Sequence, residues 1–154
     1  MDPRFDTLCL LMDEIGPRAR DFTIVMQDGL ASWALEYEGG RRVHVSAREE
    51  PPRVEIMVEV CAFPQCGPAE VLKMLMMFNF MSADTAGARM ALCSPDDTVY
   101  VVRDLPLDEA QGLRLESAIA RLASIASLWA DFVDNAANGS ARSPRDNASV
   151  GQFA

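Results

Sequence analysis

Histidine is nearly missing from this sequence: His44 is the single one in 154 residues. With it goes the side chain most suited to proton transfer and metal binding near neutral pH. His44 falls on the outward side of an alternating segment, beside Arg42 and Ser46, and no nucleophile motif accompanies it, so it reads as a surface residue. Lysine is equally scarce. Lys73 is the only one, and arginine supplies the rest of the 14 basic residues, set against 23 acidic ones. The resulting net charge of -9 repels phosphate backbones and anionic lipid surfaces. No nucleic-acid partner is expected, and a neutral or basic protein partner would suit the surface.

Apolar runs long enough to cross a bilayer, which takes about 20 residues, are also absent, so membrane insertion is not expected. A glycine-rich phosphate loop is missing; Gly39-Gly40 opens no helix. The four cysteines, Cys9, Cys61, Cys66 and Cys93, lack the paired short spacing of a zinc site. Cys61 and Cys66 have four residues between them, Pro64 included, where the two-residue redox motif has two. Neither metal nor cofactor is expected. Asp2, Arg4 and Asp6 interrupt the opening residues, which do not form a charged-then-apolar leader. The thiols therefore read as reduced, packed as small hydrophobes. A small thiol enzyme using Cys61 or Cys66 remains an alternative, and it requires a depressed cysteine pKa.

What is present is ordinary globular material, 49% hydrophobic and 24% charged, of a length that fits one domain. Asp2-Pro3 opens a helix in which Phe5, Leu8, Met12 and Ile15 repeat at helical spacing, and Gly16-Pro17 is expected to end it. Phe22 to Gln27 alternates weakly, as a short strand or an extended lead-in. Ser32 to Tyr37 sets Trp33, Leu35 and Tyr37 on one side. Gly39-Gly40 turns the chain into Arg42 to Ala47, and Arg53 to Ala62 is the clearest strand, with Val54, Ile56, Val58 and Val60 alternating with polar residues. After a helix come a hairpin of Arg89 to Cys93 and Thr98 to Arg103, then a last helix. Asp108 and Gln111 have capping-box spacing. The helix is expected to end near Asp134-Asn135, leaving residues 135–154 as a disordered polar tail behind a domain of residues 1–134. The order α-β-β-β-α-β-β-α specifies an α+β domain with a twisted antiparallel sheet.

The middle helix organises the rest. From Val71 to Met81 only Lys73 and Asn79 interrupt apolar residues. Val71, Leu75 and Phe78 share one face, and Leu72, Met76 and Met77 lie on others. A helix apolar on every side has to be covered on every side. A small domain has little interior to spare, so one face meets the chain's own core and another meets a second chain.

Several stretches taken in order resemble the class I type III secretion chaperones. They are Leu72-Lys73-Met74-Leu75, Asn79-Phe80-Met81, Thr85-Ala86-Gly87-Ala88-Arg89-Met90-Ala91-Leu92, Val99-Tyr100-Val101-Val102, Leu105-Pro106-Leu107-Asp108 and Ala126-Ser127-Leu128-Trp129. The resemblance spans about residues 3–134; the polar tail and the methionine-rich middle helix depart from it. It implies a non-enzymatic, cytoplasmic bacterial homodimer. Such a dimer binds the N-terminal region of a secreted effector in non-globular form and delivers it to a component of the secretion machinery. The client adds extended strands and short helices to apolar patches, as a 2:1 complex. On this reading Val71, Leu72, Leu75, Met76, Phe78 and Asn79 form the dimer interface. Phe5, Leu8 and Met12 on the first helix, with Trp33 and Leu35 on the sheet, contact the client. Met74 or Met77 could serve either surface. A dimeric regulatory adaptor without a secreted client is the other reading of the same fold.

Overall fold

The computed structural model describes residues 3–18, 22–27, 31–37, 39–65, 67–81, 83–110 and 113–141. Among these residues three helices, α1 (Pro3–Arg18), α2 (Pro68–Phe80) and α3 (Leu113–Ala141), pack on a six-stranded sheet. The strands are β1 (Phe22–Gln27), β2 (Ser32–Tyr37), β3 (Arg41–Arg48), β4 (Arg53–Ala62), β5 (Arg89–Cys93) and β6 (Thr98–Pro106). They lie in the order β1-β2-β3-β4-β6-β5, every neighbouring pair antiparallel. The α+β class is as the sequence specifies. Phe22 to Gln27 is a true strand, paired with β2 from Phe22↔Tyr37 to Gln27↔Trp33, so four strands precede α2 where the sequence order counted three.

Period-2 alternation decides which side of the sheet is covered. One row of register partners runs Leu35, Val43, Val58, Val101, Met90 across five strands, and every member is buried. The next row begins Trp33, Val45, Ile56, also buried. The three helices close this face. On α1, Leu8, Met12 and Ile15 point into the core, and on α3 so do Leu115, Ile119, Leu122, Ala126 and Val133. The opposite face is wet. His44 lies there, across from Ala34 and Met57, and beside it runs a charge network. Arg89 bridges Asp104 (2.8 Å) and Glu55 (3.6 Å), Arg48 reaches Glu55 (3.1 Å) and Arg53 reaches Asp104 (3.5 Å). The β2–β3 turn depends on glycine: Gly39 and Gly40 have φ of 87° and 80°, and the Gly40 N–H donates to the Tyr37 carbonyl at 3.0 Å.

Helix ends depart from expectation. α1 carries through Gly16-Pro17 to Arg18, a difference of the size by which termini ordinarily blur. α3 does not begin at Asp108. The chain first makes a turn, in which the Glu109 and Ala110 N–H groups donate to the Pro106 carbonyl, and Gln111 lies outside the described residues. α3 also passes Asp134-Asn135 and runs to Ala141, because Val133 and Ala136 still pack on the core and hold that turn in register. The expected polar tail thus starts as helix, and residues 142–154 lie outside the described residues.

Candidate functional site

Pro68 at the first turn, preceded by Gly67 in the left-handed conformation (φ 65°), starts α2. Its straight-chain Leu and Met residues then sustain it. Two apolar stripes run along it. Val71, Leu75 and Phe78, spaced by four and three, are buried against β5 and α3. On the other side Ala69, Leu72, Met76, Met77, Phe80 and Met81, with Lys73 among them, line a shallow depression of about 670 Å³. Here Phe80 is 91% exposed, Met76 71% and Met77 61%, values that place nearly whole apolar side chains in water. A contiguous apolar patch of this kind is characteristic of a protein-, membrane- or ligand-contact surface. Methionine supplies an adaptable one.

The dimer residues expected from sequence therefore divide. Leu72 and Met76 belong to the exposed stripe. Val71, Leu75 and Phe78 do not: they are 0%, 6% and 5% exposed and serve the chain's own core. Asn79 turns toward β5, where it exchanges hydrogen bonds with the Met90 backbone. Met77, Phe80 and Met81 complete the stripe. Their spacing from Leu72 and Met76 was the available signal, since positions three and four apart share a helix face.

None of the expected client residues whose side chains are described is exposed. Leu8, Met12, Trp33 and Leu35 are at most 2% exposed, and the Phe5 side chain lies outside the described residues. Their stripe on α1 and their row on β2 are what attach those elements to the domain. Apolar surface is available elsewhere, at Leu10 on the outside of α1, Leu92 on the edge strand β5, and Leu128 and Phe132 on α3. Phe132 packs edge-on to Trp129 (5.2 Å separates Trp129 from the buried Phe78, 5.4 Å from Phe132), so this surface is continuous with the core.

Neither Cys61 nor Cys93 is activated. Burial pushes the Cys61 thiol above its ordinary 9.0, aided by Asp134 and Glu59 and opposed by Arg41. A hydrogen bond with Asp96 is the main cause that raises Cys93. A nucleophilic Cys61 needs the opposite shift. Cys66 lies outside the described residues. Among the described residues no three His, Cys, Asp or Glu side chains gather where a metal could sit, and no helix is long and apolar enough to cross a membrane.

Solved structures share this architecture. A chain of the ExsC-ExsE complex superposes with a TM-score of 0.70 at 16% identity, over 86% of this chain and 97% of that one. A chain of the HopA1-SchA chaperone–effector complex gives 0.66 at 13% identity, over 85% and 98%. An uncharacterized protein from Methanothermobacter thermautotrophicus gives 0.51 at 15% identity, over 87% and 99%. No protein-family model matches the chain, and no curated protein matches it by sequence. The fold is thus shared with a chain of a chaperone–effector complex. At these identities the likeness establishes the fold, and the function has to be argued from the surface.

Proposed function

We propose that this chain is a non-enzymatic secretion chaperone that pairs with a second copy through the outer stripe of α2. The pair holds the N-terminal region of a secreted effector in non-globular form and delivers it to the secretion apparatus in a bacterial cytoplasm. The observation that carries this reading is the second apolar stripe, Leu72, Met76, Met77 and Phe80, on a helix whose first stripe already fills the core. A symmetric pair buries the same patch twice, which suits a stripe with little charge of its own. The shared fold with a chaperone–effector complex supports the client. Apolar side chains left open at Leu10, Leu92 and Leu128 support contacts outside the pairing helix. An unfolded client has to offset its ordering entropy over a broad surface, on the order of 1,000–3,000 Å².

Light scattering on the full chain tests the pairing, with a mass near twice 16.9 kDa expected at micromolar concentration. Phe80→Glu should return it to a single chain. A monomeric parent protein would defeat the pairing. Co-expression with the product of the neighbouring reading frame tests the client, with a 2:1 complex expected. An adaptor without a secreted client would instead form the dimer and leave that product unbound.

A further inference from the structure

The buried row that begins Trp33, Val45, Ile56 ends on β6 at Arg103, a guanidinium on the core-facing side of the sheet. Its neighbours on that side, Val101 and Leu105, are buried and apolar. The ladder between β5 and β6 stops at Arg89↔Val102, so Arg103 stands just beyond the last strand pair. The Arg103 Nε is buried and has no hydrogen-bond partner. Beside it the first turns of α3 present Arg114, Ser117 and Arg121, and together these residues line a groove of about 390 Å³. Glu109 is the one carboxylate in the lining. None of the three arginines makes an ion pair among the described residues. Arg42, alone on the opposite face, likewise makes none, whereas Arg48, Arg53 and Arg89 pair with carboxylates and Arg41 donates to the Glu59 and Val60 carbonyls. The Ser117 hydroxyl is likewise free among the described residues, whereas Ser124 and Ser127 donate to carbonyls of their own helix.

We propose that this groove binds an extended acidic segment of a partner protein. Guanidinium groups recognise carboxylates through paired N–H donors, and a surplus of two positive charges on a chain of net charge -9 has to be accounted for locally. The apolar wall, Leu105, Leu113 and Ala118, is of no use to a free inorganic anion and suits the side chains of a peptide. The overall negative field opposes nucleic acid. Spacing narrows the ligand further. Arg114 and Arg121 are seven residues apart on α3, about 10 Å along its axis. A polyproline-II peptide brings residues three apart to one side at about 9 Å, so two acidic residues at that spacing match the two arginines. The site shares no residue with the α2 stripe, and its test stands apart from the pairing.

Fluorescence anisotropy on the full-length chain tests this with labelled peptides carrying two glutamates set two, three or four residues apart around leucine and alanine. A glutamine version of each serves as the control. Tightest binding is expected at the spacing of three, with the glutamine version at least tenfold weaker. Arg114→Gln and Arg121→Gln should each weaken binding about tenfold, the size of a lost charge-assisted contact. Both side chains are exposed, so the thermal midpoint should hold. Equal binding of glutamate and glutamine peptides, no binding of any, or unchanged affinity in both variants would overturn the proposal. So would inorganic phosphate competing as tightly as peptide, since that defines a small-anion site.

Discussion

Asn79, the penultimate residue of α2, is joined to Met90 of β5 by both ends of one amide. Its Nδ2 donates to the Met90 carbonyl at 3.1 Å, and its Oδ1 accepts from the Met90 N–H at 2.6 Å. β5 is an edge strand, and its open side would otherwise present both groups unpaired. A side-chain amide here does the work of one residue of a neighbouring strand, and it also fixes where α2 ends. Asn79→Ala should destabilise the fold by about 1–3 kcal/mol, the range for orphaning partly buried polar groups. Asn79→Asp should do more damage, since it keeps the acceptor and sets a carboxylate against the Met90 carbonyl. Urea unfolding at one fixed protein concentration checks both, because pairing would otherwise enter the apparent stability.

The two stripes of α2 should answer differently to the same kind of mutation. Leu75→Ala opens a cavity behind a residue that is 6% exposed, and a loss of about 2–5 kcal/mol is expected. Met76→Ala, on the 71% exposed side, should leave the stability of the single chain within about 0.5 kcal/mol. If the outer stripe pairs two copies as proposed, its effect should appear in the dissociation constant of that pair, read by sedimentation over a concentration series. A Met76→Ala chain as unstable as Leu75→Ala would mean that the outer stripe is core.

Much of this was open to reading in the chain. Val54, Ile56, Val58 and Val60 alternate so regularly that the inner face of β4 follows from period 2 alone. The surplus of apolar faces on α2 was equally plain. Which face turns inward was not, since hydropathy is nearly the same around the helix, and the choice rests on where β5 and α3 lie. That is why Val71, Leu75 and Phe78 were counted with Leu72 and Met76. Leu8, Met12, Trp33 and Leu35, expected as client residues, are buried for a simpler reason: each element had one apolar stripe, and the core needed it. Arg103 was visible as the break in Val99, Val101, Leu105. Its convergence with Arg114 and Arg121 depends on the turn after Pro106, whose geometry no local pattern encodes.

Cys61 should make the fold sensitive to alkali. Its thiol is raised in the folded chain by burial first and by Asp134 and Glu59 second, so the folded state prefers the neutral form. The sign follows: the contribution is fully present below the ordinary thiol value of 9.0 and is lost as pH rises through the higher folded value. Cys61→Ser should flatten the fall in urea midpoint above that pH. Alkylation of the native chain by iodoacetamide should be slow at Cys61 near neutrality and should accelerate only beyond the pH at which an unfolded thiol responds. A fast reaction at neutral pH would reverse this assignment and reopen the thiol-enzyme reading.

The two tryptophans should report separately on core and surface. Trp33 is 2% exposed in the inner row of the sheet, while Trp129 is only partly buried, with Phe78 and Phe132 edge-on to it at 5.2 and 5.4 Å. A Trp129→Phe chain should therefore emit from Trp33 alone, blue-shifted and resistant to acrylamide. Trp33→Phe leaves Trp129, whose emission should be redder and quenched more readily. Edge-to-face aromatic pairs contribute about 0.5–1.5 kcal/mol beyond burial. Phe132→Ala should thus cost about that much and raise the acrylamide sensitivity of Trp129, because the ring that shields its solvent side is removed. Phe78→Leu acts from the other side: the residue is buried, so stability should fall while Trp129 stays screened by Phe132. If Phe132→Ala left both stability and quenching unchanged, the aromatic link from the core to the outer surface of α3 would not exist in solution.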